Sequence, residues 1–167
     1  MVKTISGLRG TWNCYLHHNY FSPDSSILDM LGIQEGEKFV VIRFVSWKAT
    51  HDVGHKGLTT RSKINAVREL SHHARVFISS EGELPESLKK YRIIIPPEKM
   101  HSVLFYASLL YGESATMASE SACLGTPSIF HDNDGRGYTD EQQRKYGMVH
   151  NYSESHEDQK ISLQKAI

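Results

Sequence analysis

Two hydrophobic regimes alternate along this chain. Short, nearly unbroken apolar runs are separated by longer stretches in which apolar residues recur every three or four positions. Residues 38–46 are the strongest run, with Phe39, Val40, Val41, Ile42, Phe44 and Val45. A strand buried on both faces of a parallel sheet has this character. Residues 75–79, 91–95, 109–111 and 128–130 form weaker runs, and 148–149 predict a short edge strand. Between the runs, 58–73 is amphipathic, with Ile64, Val67 and Leu70 on one face. Met100, Val103, Leu104 and Ala107 repeat at helical spacing after Pro96-Pro97. Shorter helices are expected over 26–31 (stopped by Gly32), 85–90 and 141–145, and a polar helix over 156–167. Residues 132–140 read as a Gly- and Asp-rich loop.

Strands alternating with helices predict an α/β fold: a Rossmann-like, doubly wound parallel sheet of about six strands with helices on both faces. Residues 1–26 show no period and are expected to be a crossover or linker segment, with the domain proper over 27–167. In such a sheet a ligand sits beyond the carboxyl ends of the strands. The loops at 47–57, 80–84, 112–116 and 131–138 should meet there, and all four are rich in Gly, Ser, His, Asp or Glu.

The stretch most specific in its chemistry is 111–130. Gly112 releases the backbone after a strand, Ser114 is a good helix N-cap, and Gly125 and Pro127 stop the helix. The first-turn amides of Ala115, Thr116 and Met117 then point at the ligand edge, where the helix dipole favours an anion. Glu120 lies one turn further on, on the side of Thr116. A carboxylate there is placed to accept from a pair of ribose hydroxyls rather than to hold phosphate. The plainer alternative is an ordinary cap followed by an exposed helix glutamate.

The spacing from Ser114 to Glu120, then Leu124-Gly125-x-Pro127, resembles the nucleotide-sugar motif in the second domain of GT-B proteins. UDP-N-acetylglucosamine 2-epimerases and MurG-type glycosyltransferases are similar cases. The resemblance implies that Ser114 begins a diphosphate-binding turn and that Glu120 holds the ribose; Ala115 and Thr116 stand where the epimerases have glycines. The wider run from His17-His18-Asn19-Tyr20-Phe21 through the segment from Arg43 to Trp47 resembles an uncharacterised group of prokaryotic GT-B-like proteins, often found among surface-polysaccharide functions. The resemblance extends over residues 15–167 and implies one half of a GT-B fold. An N-terminal acceptor domain or a separate subunit would supply the other half.

Composition narrows the partners. Lys plus Arg and Asp plus Glu both number 19, so the formal charge is zero. That disfavours nucleic acid bound through a broad basic surface. No apolar stretch is long enough to span a membrane, and the N-terminus lacks a signal core. Cys14 and Cys123 are distant and unpaired in motif, which fits reduced thiols in the cytoplasm. There is no GxGxxG after the first strand, no P-loop and no Gly-x-Ser-x-Gly elbow.

Other candidate contacts lie in the same loops. His51-Asp52-x-x-His55 offers a sugar- or phosphate-contacting loop; the metal-ligand reading is weaker because glycine breaks the spacing, and no metal is expected. Glu81 either approaches the sugar or base or belongs to a polar turn. His101 either stacks on the base or covers the helix surface. Glu113 contacts an acceptor or bonds the backbone.

Two functions from different classes follow. One is the donor half of a glycosyltransferase or sugar epimerase in glycan biosynthesis, needing no cofactor beyond its nucleotide-sugar (UDP-sugar) substrate and inactive alone. The other is a non-catalytic α/β binding or assembly domain. The abrupt start and uncapped end suggest a piece of a longer protein.

Overall fold

The computed structural model describes Leu16 and residues 20–46 and 57–167. Five strands form one parallel sheet: β1 Phe39–Phe44, β2 Arg75–Ser80, β3 Leu109–Gly112, β4 Ser128–His131 and β5 Val149–Tyr152, in the order β2-β1-β3-β4-β5. Among the described residues six α-helices accompany it: α1 Ser26–Leu31, α2 Thr60–Leu70, α3 Met100–Tyr106, α4 Ala115–Cys123, α5 Gly137–Tyr146 and α6 His156–Ala166. The chain has the Rossmann-like, doubly wound architecture that its pattern predicts.

The period of two along each strand divides the core. Phe39 and Val41 of β1, Leu110 of β3 and Phe130 of β4 pack with α1, α3 and α4 on one face. Val40, Ile42 and Phe44, Leu109 and Tyr111, and Ile129 pack with α2 and Leu163 of α6 on the other. Burial on both faces explains the lack of alternation in the β1 sequence. Leu16 and Phe21, from the segment expected to be a linker, join the first of these cores.

One expected strand does not form. Residues 91–95 make a single bridge, Arg92 beside Ile78, and Ile94 is 85% exposed. The segment runs past the outer edge of β2, and Pro96 and Pro97 end any ladder directly after it. Among the described residues the sheet therefore has five strands rather than six. The short helix expected over 85–90 forms as a 3₁₀ helix, Glu86–Tyr91. The expected 132–140 loop is shorter, because α5 begins at Gly137.

Candidate functional site

Gly112 closes β3 with φ +156°, and a Cβ there would lie 2.1 Å from the Arg43 carbonyl oxygen of β1. Only glycine lets β3 pass β1 this closely at its last residue. The chain then turns into α4. Ser114 caps it, its hydroxyl accepting from the Met117 amide at 3.3 Å. Gly125, at φ +85°, follows the helix. Thr126, fully buried, donates its hydroxyl to the Leu104 carbonyl at 2.7 Å and so closes the end of α3 as well.

The cap alters one expectation. Met117 was expected to offer its amide to a phosphate, but Ser114 takes it, because an N-cap side chain bonds the amide three residues on. The first-turn amides of Ala115 and Thr116 make no hydrogen bond among the described residues. In this sheet order β2 and β3 lie on opposite sides of β1, so the winding reverses between β1 and β3. The start of α4 stands at the carboxyl end of that switch point, where open α/β sheets bind ligands.

Glu120 is largely buried, with its Oε2 3.4 Å from His101 Nε2 of α3. The alternative of an exposed helix glutamate is thereby corrected: Glu120 faces α3, not open solvent. His101 meets the Phe21 ring edge-on, with centroids 6.2 Å apart. Glu120, His101 and Phe21 thus line one side of the turn. On the other side stand two residues that no sequence signal marked. Tyr138 of α5 lies beside Thr116, and burial pushes its hydroxyl pKa up. Arg136 pairs with buried Asp132 at 3.3 Å. The dense Gly and Asp content of 132–140 hid them.

Glu113 has the second of its two expected roles. Its side chain is fully buried and accepts from the backbone amides of Val45, at 3.0 Å, and Leu58, with Lys63 Nζ 3.4 Å away. Glu81 likewise serves the β1 exit, bonding Arg43 and, at 3.2 Å, the Ser46 amide. Arg43 is also held by Ser79, whose hydroxyl accepts from it at 2.8 Å. Glu113 and Glu81 therefore fix backbone at the switch point. His51, Asp52 and His55 lie outside the described residues. Among those described, no group of three His, Cys, Asp or Glu side chains is placed to hold a metal ion. No helix among them is long and apolar enough to cross a membrane.

Comparison with known families finds one that matches residues 2–135, described as Protein of unknown function (DUF354). No curated protein matches the chain.

Proposed function

The chain belongs to the DUF354 family, and from that premise we propose that it binds a nucleoside diphosphate, carried as a nucleotide sugar, at the start of α4. The observation that carries this reading is the coincidence of three features at one strand end. A capped helix starts at the sheet's switch point, two of its first amides make no bond to the described protein, and a carboxylate stands one turn below them. The amides of Ala115 and Thr116 supply donors for the diphosphate, and Arg136 adds positive charge nearby. Glu120 accepts from the ribose hydroxyls, exchanging part of its contact with His101 for them. Phe21 and His101 offer ring surfaces for the base.

In this reading the domain is the donor half of a glycosyltransferase or sugar epimerase of glycan biosynthesis, acting in the cytoplasm. Its contribution to chemistry is to hold the leaving diphosphate while a second domain or subunit presents the acceptor. A second reading, a binding or assembly domain without turnover, draws support from the side chains at the turn. Thr116 replaces a glycine, and Tyr138 sits upon it.

Titration calorimetry with UDP, GDP, CMP and UDP-N-acetylglucosamine tests the proposal. One base should bind selectively, and Glu120→Ala should weaken it by about 1.5–3 kcal/mol, the range for hydrogen bonds to a charged group. No heat from any nucleotide, or heat indifferent to Glu120, sinks the nucleotide reading and favours the second.

A further inference from the structure

On the face of the sheet opposite α4, helices α2 and α6 enclose a groove of about 610 Å³. That volume suits a small organic ligand. Tyr111 of β3 contributes to its lining, and Ile64 and Leu163 give it apolar walls. Arg61, Arg68, Lys160 and His156 also line it, without a single carboxylate among the lining residues. In a chain whose formal charges cancel, Arg61, Arg68 and Lys160 make a local concentration of cations. Arg68 is engaged by Glu69 and Asn65, whereas Arg61 and Lys160 make no ion pair among the described residues.

A separate observation concerns Gln159. It lines the groove while only 8% exposed. Its amide nitrogen donates to the Glu154 carbonyl at 2.7 Å, but its Oε1 is buried with no partner among the described residues. Folded proteins rarely leave such an acceptor unmet. A cationic rim asks for an anion, and a buried amide oxygen asks for a hydroxyl or amine donor.

We propose that the α2–α6 groove binds a small hydroxyl-bearing organic phosphate, its phosphate between Arg61 and Lys160, with Gln159 turning its Oε1 out of burial to accept a ligand hydroxyl. The site is independent of the α4 turn and stands whether or not a nucleotide binds there.

Amide chemical-shift mapping on the intact chain, with glucose 6-phosphate as probe and glucose and inorganic phosphate as controls, tests it. Glucose 6-phosphate should move resonances of Ile64, Gln159 and Lys160 and bind more tightly than either control. The double variant Arg61→Ala/Lys160→Ala, checked for an otherwise unchanged spectrum, should bind about tenfold more weakly, as expected for lost charge-assisted bonds. Gln159→Leu should reduce the advantage over inorganic phosphate. Shifts confined to the first turn of α4, equal binding of all three probes, or indifference to both variants would overturn the site. So would groove resonances that follow protein concentration rather than probe, since they would mark self-association.

Discussion

At the scale of single residues, Gly112 is the least replaceable position in the candidate site. A methyl group placed 2.1 Å from a backbone carbonyl has no flexible neighbour to displace. Relief requires β1 and β3 to part at the ligand edge. Gly112→Ala should therefore destabilise the fold by roughly 3 kcal/mol or more, the scale of severe overpacking with backbone strain. Chemical denaturation of wild type and variant measures this directly. Loss below about 1 kcal/mol would mean that the strands separate easily there.

Among the elements, α3 and α4 are joined through the turn that follows α4. The hydroxyl of Thr126 reaches the last carbonyls of α3, so one residue finishes two helices. Thr126→Val keeps the shape and deletes the donor. It should cost about 1–3 kcal/mol and loosen α3 first, seen as faster amide exchange at its C-terminal turn. Equal exchange in both proteins would remove Thr126 from that role. The sequence foretold much at this scale. The cap at Ser114, the stop at Gly125 and the strands on either side all rest on local chemistry, which a chain carries wherever it folds. What it hid depends on contacts across the fold. Residues 91–95 are as apolar as a strand but find only the rim of β2. Glu113 and Glu81 look like site carboxylates until their partners at the end of β1 and the start of α2 are known. Arg136 and Tyr138 are ordinary residues until the start of α5 brings Arg136 to Asp132 and Tyr138 beside Thr116.

For the molecule as a whole, most of the acid response between pH 6.5 and 4 should come from one buried network, with half-buried His150, also held below its usual pKa by burial, adding to it. His131 is inaccessible to solvent, and its Nε2 lies 2.8 Å from the Ser162 hydroxyl and 3.5 Å from that of Tyr111. Burial pushes its pKa down to about 4 from the usual 6.5, and holds the Tyr111 hydroxyl up at about 12. The unfolded chain therefore takes up a proton between pH 6.5 and 4 that the folded chain refuses. Stability from this group is complete above pH 6.5 and falls as pH drops toward 4, by about 3 kcal/mol in all. Equilibrium unfolding followed across that window should show the slope, and His131→Phe should flatten it. An unchanged slope in the variant would assign the acid sensitivity elsewhere.

The carboxylate of Glu113 meets the amides of Val45 and Leu58 together, so the chain leaving β1 and the chain arriving at α2 are pinned to one point. The end of the strand and the start of the helix are thereby held together by one side chain. Doubling the length of such a closed segment adds only about 0.6 kcal/mol of closure entropy, and the strand and helix at its feet need not move. A single carboxylate in this sense makes the frame tolerant of a change in the length of chain that joins its two feet.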